Sequence, residues 1–230
     1  MAALSALLRA RVEAVGAWSG CWLRADAPEW PVPLRGLPGA PVALAYEGNL
    51  GLLAAPAVAI VGTRRCTATG RRLARELARA VVQAGGVVVS GLAAGIDAEG
   101  HIAAAGRTIA VLGQGLDSPM AGWQARLRER VLAEGGLVLS EYPPAQPAAA
   151  WTFPRRNRII AGLACTTVVM EAGHRSGAKI TAHNAAEYGR RVLAVPGLPD
   201  CESFAGCLDL IEEGAEVYRG VGSVLLAAVR

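Results

Sequence analysis

Lysine is nearly absent from this chain of 230 residues: Lys179 is the only one, so almost all of the positive charge is guanidinium. The formal net charge of +4 is mildly basic, and it permits nucleic-acid binding without requiring it. Arginine makes planar, bidentate contacts with phosphate and also stacks on bases. The preference for arginine over lysine is therefore compatible with an anionic partner. A GC-rich genome would produce the same preference with no functional meaning.

Features that mark several common classes of protein are missing as well. The five cysteines include no CxxC pair, which fits a reducing cytosol better than disulfides or a zinc site. The three histidines lack the spacing of metal ligands, so we expect no metal. Charged residues interrupt the apolar start, so no signal peptide is expected, and an uncharged run such as residues 48–63 is too short to span a bilayer. We expect a soluble, cytoplasmic protein without membrane contact.

From residue 57 onward, short apolar runs alternate regularly with amphipathic stretches. The runs are apolar throughout, as strands buried on both faces of a parallel sheet require. Repeated strand–helix units predict right-handed crossovers and a Rossmann-like α/β fold with a doubly wound, mainly parallel sheet. The predicted strands, each with its following helix, are 57–62 and 67–84, 87–91 and 96–105, 108–113 and 120–134, 137–141 and 155–163, 166–171 and 177–189, and 192–197 and 204–213.

Residues 1–40 form a predicted N-terminal extension to this Rossmann-like domain, which we assign to residues 41–230. A helix over 3–17 is followed by a stretch rich in Trp, Pro and Gly that we predict to be irregular. The tryptophans of this region, Trp18, Trp22 and Trp30, are expected to fasten it to the domain. Residues after 213 form a short tail with room for one more helix.

The turns after the predicted strands lack the common nucleotide-binding signatures. The first turn has no GxGxxG and the only lysine is not in a GK[ST] motif, so no nucleotide cofactor is expected. Ligands of such sheets bind outside the carboxyl ends of the strands. Arginine, serine, threonine and glycine recur at those positions, and together they predict a phosphate-binding face. Any one of the glycines alone is better explained by a tight turn.

Asp97 and His101 stand four residues apart in GIDAEGH, near the start of a predicted helix. This spacing is compatible with a general acid–base pair. A first-turn aspartate is more simply explained as a cap or as a charge that complements the helix dipole. We therefore favour a structural role for both residues, and nothing in the sequence indicates an activated nucleophile.

The segment WTFPRRNRII, residues 151–160, places three arginines beside one of only two phenylalanines. Pro154 suits a first helical position, which would put the arginines at the positive end of the helix dipole, where each cation is disfavoured by about 0.3–1 kcal/mol. This favours an anion held by free amides and guanidinium groups over a merely solvated face. Phe153 supplies a ring on which a base can stack. The segment therefore predicts a site for single-stranded nucleic acid.

Several motifs follow one another in unbroken order between residues 40 and 218. They include VAIVGTRRCTATG, SGLAAGIDAEGH, FPRRNRIIAGL and EAGHRSGAKIT. In this combination they resemble the DNA-processing protein A family (DprA, also called Smf). The resemblance implies a Rossmann-like domain without a nucleotide cofactor or known catalysis. It also implies binding of single-stranded DNA in a basic pocket, homodimerisation, and loading of the RecA recombinase during natural transformation.

The same resemblance implies roles for individual residues of this chain. The implied DNA-binding residues are Gly62, Thr63, Arg64, Arg65, Ser90, Gly91, Gly95, Phe153, Arg155, Asn157, Arg158, Arg175, Ser176 and Gly177. Asp97, His101 and Glu171 are expected to support the loops. Leu208, Leu210 and Ile211 lie in the region similar to the family's dimer surface, and ordinary core packing explains them equally well. Ala94 and residues 148–150 replace positive charge that is common in the family, which points to weaker DNA binding.

Two other functions remain open from the sequence. Phosphoribohydrolases that act on nucleoside monophosphates share the overall plan, but they carry PGGxGTxxE where this chain reads EAGHRSGAKIT. Release of the base from AMP, abolished by Glu171→Gln, would indicate such an enzyme. The third possibility is a structural subunit that binds neither DNA nor nucleotide.

Overall fold

The computed structural model describes residues 21–225, which form a nine-stranded sheet flanked by helices. The strands are β1 (Trp22–Arg24), β2 (Ala43–Gly48), β3 (Ala57–Val61), β4 (Val87–Ser90), β5 (Thr108–Leu112), β6 (Leu137–Ser140), β7 (Thr166–Val169), β8 (Arg191–Ala194) and β9 (Glu216–Val217). The helices are α1 (Ala68–Gln83), α2 (Ile96–Ala104), α3 (Gly122–Ala133), α4 (Thr152–Leu163), α5 (Gly177–Glu187), α6 (Ala205–Glu212) and α7 (Gly222–Leu225). Three 3-10 helices cover Val32–Leu34, Leu50–Ala54 and Glu202–Phe204.

The strand order, β1-β2-β6-β5-β4-β3-β7-β8-β9, reverses direction next to β3. From β3 the chain winds outward through β4, β5 and β6, and it then returns to place β7 on the other side of β3. The seven strands β3 to β9 all pair in parallel with their neighbours among themselves, whereas β1 and β2 add an antiparallel edge beside β6. The predicted doubly wound, mainly parallel Rossmann-like fold is confirmed, and its switch point lies between β3 and β7.

The continuous apolar runs produce strands that are buried on both faces, as the periodicity predicts. Every residue of β3, β4, β5, β6 and β7 is buried. Helix α1 shows how the helices cover this sheet: the side chain of Thr67 caps its start, and Ala74, Leu77, Ala78 and Val81 form one buried stripe. The six predicted strand–helix units are all present, with ends that differ by at most three residues from the prediction.

Part of the predicted N-terminal extension is built into the same sheet. β1 pairs with β2, and Trp30 belongs to the main hydrophobic core. Trp22 packs against a second, smaller cluster that includes Ala45, Leu112 and Val138. The tryptophans at positions 22 and 30 therefore fasten this segment to the sheet, while the helix predicted over 3–17 and Trp18 lie outside the described residues.

The last helices complete the core. Leu210 of α6 is buried in the main cluster and Ile211 packs against it, whereas Leu208 is half-buried. Leu210 is thus a core residue, which supports core packing, the other explanation that the sequence allowed, because a helix that covers a sheet turns its apolar side inward. Along the described part of the chain, no helix is both long and apolar enough to cross a membrane.

Packing of the segment before β2 gives a prediction about stability. Trp30 is 3% exposed, and Val32, two residues on, is 73% exposed. We expect Trp30→Ala to lower the free energy of unfolding by about 3–5 kcal/mol, because it removes a buried aromatic and leaves a cavity. Val32→Ala, the matched control, should change it by less than about 0.5 kcal/mol. Urea denaturation followed by circular dichroism measures both, and equal values for the two variants would contradict this packing.

Candidate nucleic-acid interface

A pocket of about 1020 Å³ lies at the carboxyl ends of β3 and β7, at the switch point of the sheet. Loops after β3, β4 and β7 and the start of α4 form its walls. The predicted site residues among its lining are Gly62, Thr63, Arg64, Arg65, Asp97, Phe153, Asn157, Arg175, Ser176 and Gly177. The pocket therefore brings together residues from four distant segments, at the place where ligands of doubly wound sheets bind.

Three arginines and one aromatic ring dominate this pocket. Arg64, Arg65 and Arg175 are exposed at its wall, and Phe153 is half-buried. The guanidinium carbon of Arg64 lies 5.6 Å from the centre of the Phe153 ring, which is within the range of a cation–π contact. Positive charge and an apolar flat surface are thus adjacent, as stacking of a nucleotide requires.

Glu171 holds the loop that carries Arg64 and Arg65. Both of its carboxylate oxygens accept hydrogen bonds from the N–H of Thr67, at 3.2 and 2.9 Å, and Oε2 also accepts one from the Thr67 hydroxyl at 2.9 Å. The Glu171 carbonyl accepts a hydrogen bond from the N–H of Thr63 at 2.7 Å. Glu171 is fully buried, so its place in the structure is that of a support for the β3–α1 loop.

Asp97 holds the next loop, after β4. Its carboxylate accepts hydrogen bonds from the N–H of Gly91 at 3.0 Å and of Ala93 at 3.4 Å. Burial raises the pKa of Asp97, and the nearby positive charge of Arg156 opposes that shift. Gly95 has a positive φ of 78°, and a Cβ there would lie 2.3 Å from the Thr63 carbonyl oxygen, so this position requires glycine.

Ser90, Gly91 and Gly95 do not line the pocket, although the sequence placed them among the binding residues. The Ser90 hydroxyl donates to the carbonyl of Ile60 at 2.7 Å inside the sheet. A Cβ at Gly91 would lie 2.6 Å from a guanidinium nitrogen of Arg156. These residues position the loop from below, because serine and glycine permit the close approach of neighbouring strands and side chains.

His101 is buried and neutral, and its two ring nitrogens have separate partners. The Thr108 hydroxyl donates to the Val88 carbonyl at 3.0 Å, so His101 Nδ1 donates to that hydroxyl, at 2.7 Å. Nε2 then accepts a hydrogen bond from the N–H of Leu92 at 3.3 Å. Burial, with a smaller contribution from Arg156, lowers the pKa of His101 to about 3. This arrangement supports the structural interpretation of Asp97 and His101 over an acid–base pair.

Helix α4 begins earlier than the sequence suggested. It starts at Thr152, so the prediction of Pro154 as the first helical residue is wrong by two positions. The N–H of Thr152 donates to the Ala149 carbonyl, and that of Arg155 donates to the Trp151 carbonyl. Pro154 has no N–H. The amides of this first turn are therefore largely occupied, and an anion would depend mainly on side chains.

The helical period divides the basic segment between two faces of α4. Phe153, Asn157 and Ile160, at i, i+4 and i+7, line the pocket. Arg155 and Arg158 point to the other face, where Arg158 Nη2 lies 2.5 Å and Arg155 Nε 3.7 Å from carboxylate oxygens of Glu141. The placement of Arg155 and Arg158 in the pocket is thus corrected: both lie beside it.

Arg156 is the pocket residue that the sequence analysis missed. It is 5% exposed, and its Nη1 donates to the carbonyl of Gly91 at 2.7 Å and to that of Val111. Its Nε donates to Asn157 Oδ1 at 3.1 Å, and Asn157 Nδ2 donates to the Gly177 carbonyl at 3.2 Å. Burial lowers its pKa to about 10, with Asp97 opposing the shift, so the guanidinium is charged at neutral pH. The sequence did contain one signal for this position: Arg156 stands three residues after Phe153, and residues three apart lie on the same side of a helix.

The loop with Arg175 is set by the start of α5. Ser176 is the N-cap of that helix, and its hydroxyl accepts a hydrogen bond from the N–H of Ala178 at 3.3 Å. Space around Gly177 is open, since a Cβ there would meet no atom within 4 Å. Arg175 is exposed next to this cap. The loop thus offers a cation and an accessible backbone next to α4, to which the hydrogen bond from Asn157 to the Gly177 carbonyl joins it.

The fold and the pocket together define a class of protein: Rossmann-like α/β domains with an arginine-rimmed pocket at the switch point of the sheet. The family model of DNA recombination-mediator protein A matches residues 22–228. The chain belongs to this family, which confirms the resemblance seen in its motifs.

Known relatives extend over most of the chain. Protein Smf of Synechocystis is 46% identical over 211 residues, which cover 89% of this chain and 53% of that relative, so the chain spans about half of its length. The X-ray structure of DNA processing protein A from Streptococcus pneumoniae has a TM-score of 0.84 and 40% identity, covering 90% of this chain and 74% of that one. A Helicobacter pylori DNA processing protein A structure, described for its single-stranded DNA binding mode, has a TM-score of 0.82 and 26% identity, covering 91% and 96%.

The buried guanidinium of Arg156 gives a testable prediction. We expect Arg156→Met to lower the free energy of unfolding by about 2–5 kcal/mol, because the carbonyls of Gly91 and Val111 lose a buried donor. Arg155→Met removes the same group from an exposed position and should cost less than about 1 kcal/mol. Chemical denaturation of the two variants compares them directly. A loss for Arg156→Met no larger than that for Arg155→Met would show that this contact does not hold the pocket together.

The depressed pKa of His101 predicts a dependence of stability on pH. The folded-state pKa is about 3, below the ordinary value of about 6.5, so the unfolded chain binds one proton more between these two values. The contribution of His101 to the free energy of unfolding is therefore fully present above about pH 6.5. It decreases as the pH falls towards about 3, by up to about 1.4 kcal/mol per pH unit. Unfolding titrations of the wild type and of His101→Gln measure it. The wild-type curve should be steeper by this amount, and parallel curves would contradict the prediction.

Proposed function

We propose that this chain binds single-stranded DNA in the pocket at the switch point and acts as a binding protein in DNA recombination. The observation that carries the proposal is the set of three exposed arginines, Arg64, Arg65 and Arg175, around the half-buried ring of Phe153. Guanidinium groups grip phosphates, and an aromatic ring stacks on a base whatever the sequence. The Helicobacter pylori relative, described as binding single-stranded DNA, supports the same ligand here.

A single strand suits this pocket better than a duplex. The ring of Phe153 lies inside the pocket, partly covered by neighbouring residues. Only a base with an uncovered face can reach it, and bases in a duplex are covered by their neighbours on both sides. A duplex reader more often presents a helix to the major groove, whereas here the arginines and the ring surround a concavity.

Binding rather than catalysis is the function that these side chains support. The three acid–base candidates of the sequence, Asp97, His101 and Glu171, all hold backbone groups of the loops. Glu171 is fully buried with Thr67 against its carboxylate, which does not favour the phosphoribohydrolase alternative. We infer that these residues keep the binding loops in place.

The family is described as a mediator of DNA recombination, which supports a role for the proposed DNA binding in that process. We infer that the bound strand is delivered to the RecA recombinase, in natural transformation or a related process, and that the protein acts as a homodimer in the cytoplasm. Leu208 and Ile211 remain predicted contributors to the dimer surface. In a RecA ATPase assay on single-stranded DNA, the chain should shorten the lag before activity, and an unchanged lag would refute delivery while leaving DNA binding intact.

The binding test uses a labelled oligothymidine and fluorescence anisotropy at two salt concentrations. We expect Phe153→Ala to weaken binding by about 5- to 150-fold, since stacking on an aromatic ring contributes about 1–3 kcal/mol per base. Arg64→Ala should weaken binding as well and should reduce the slope of log affinity against log salt by about 0.7, the value for one phosphate contact on a single strand.

Arg79→Ala is the matched control for the loss of one positive charge. Arg79 is exposed on α1 and does not line the pocket. It lies about three turns from the pocket end of that helix, so its removal should leave the affinity nearly unchanged. Wild-type binding that is absent, insensitive to salt or equally strong for duplex DNA would refute the proposed function.

A further inference from the structure

The face of α4 that turns away from the pocket carries an exposed aromatic residue and an exposed cation. Trp151, the N-cap residue, has helical backbone angles and is 57% exposed. The side chain of Arg155 is 55% exposed. Residues four apart on a helix are neighbours on one face, so positions 151 and 155 present the indole and this guanidinium on the same side of the helix start.

The indole of Trp151 is supported on one side by a buried residue. Its ring packs against that of Tyr142 at a centroid distance of 5.9 Å and an interplanar angle of 77°. Tyr142 is itself buried, and its hydroxyl donates to the Thr152 carbonyl at 3.1 Å. This edge-to-face contact restrains the orientation of the indole, yet more than half of its surface stays open to a stacking partner.

The charge balance of this face leaves one guanidinium available to an anion. Glu141 is the single carboxylate paired here with Arg155 and Arg158. Arg158 makes the close contact, at 2.5 Å, whereas Arg155 is 3.7 Å away and more exposed. The group therefore carries a net charge of about +1, and Arg155 can turn to a phosphate while Arg158 continues to neutralise Glu141.

This face is continuous with the pocket. Ala150 and Phe153, on either side of Trp151 in the sequence, both line the pocket. A strand with one base on Phe153 therefore has only the start of α4 to cross, about 10 Å in width, to bring a later base over Trp151. The pocket and this face present the same combination of a ring and a guanidinium on the two sides of one helix start.

We propose that Trp151 and Arg155 form a second nucleotide subsite, in which a base of single-stranded DNA stacks on the indole and its phosphate contacts the guanidinium. The subsite rests on the proposed function, because it takes a later nucleotide of the strand held in the pocket. It gives Arg155 a DNA contact outside the pocket and makes the bound strand cross α4.

The test compares oligothymidines from about 4 to about 20 nucleotides by fluorescence anisotropy. Trp151→Ala should bind the longest strands about tenfold more weakly than the wild type and the shortest strands equally well, since a short strand occupies only the pocket. Phe153→Ala should weaken binding at every length. Trp123→Ala, which removes another exposed tryptophan that does not line the pocket, should match the wild type throughout.

A spectroscopic measurement tests the stacking with the ring retained. Long oligothymidine should quench the wild-type tryptophan emission, and Trp151→Phe, which still offers a ring, should bind nearly as tightly but lose most of that quenching. Wild-type affinity of Trp151→Ala for the longest strands, or unchanged quenching in Trp151→Phe, overturns the subsite alone. A wild type that fails to bind every strand overturns the proposed function and the subsite with it.

Discussion

The buried guanidinium of Arg156 is the contact on which the geometry of the pocket depends. It joins α4 to the ends of β4 and β5 through the carbonyls of Gly91 and Val111. Through Asn157 it is also linked to the Gly177 carbonyl at the start of α5. A buried charge is costly unless hydrogen-bonded acceptors surround it, and strand ends supply such acceptors. The ring of Phe153, three residues earlier on the same helix, is thereby held at the switch point.

Charge compensation within the chain explains how three arginines fit at one helix start. Cations at this end of a helix are disfavoured by the dipole, but each of these has a partner within the chain. Arg156 donates to carbonyls inside the protein, and Arg158 is paired with Glu141. Arg155, with the longest of these contacts, is the one whose charge remains most available. The unfavourable placement alone therefore did not require an external anion.

The sequence predicted what depends on local pattern. Apolar runs such as residues 57–61 and 87–90 had to become buried strands, and their order determined which loops meet at the switch point. The edge strands were missed because β1 and β9 have only three and two residues, and their pairing is tertiary. Arg156 was missed for a similar reason. Its acceptors lie 65 and 45 residues away in the sequence, and no spacing rule connects them to a helix start.

In the proposed function, the contact between Arg64 and Phe153 is the one that an entering base replaces. On one side the ring lies so close to Gly113 that a Cβ there would be 2.9 Å from Phe153 Cδ1, and on another the guanidinium of Arg64 covers it. Under the proposed function, a base that stacks on the face of Phe153 below Arg64 takes the place of that guanidinium. An exposed cation–π contact contributes about 0.5–1 kcal/mol, whereas base stacking contributes about 1–3 kcal/mol. The displaced guanidinium then gains a charge-assisted bond to phosphate. The exchange favours the nucleotide at both steps, and it needs a ligand that offers a flat base and a phosphate together.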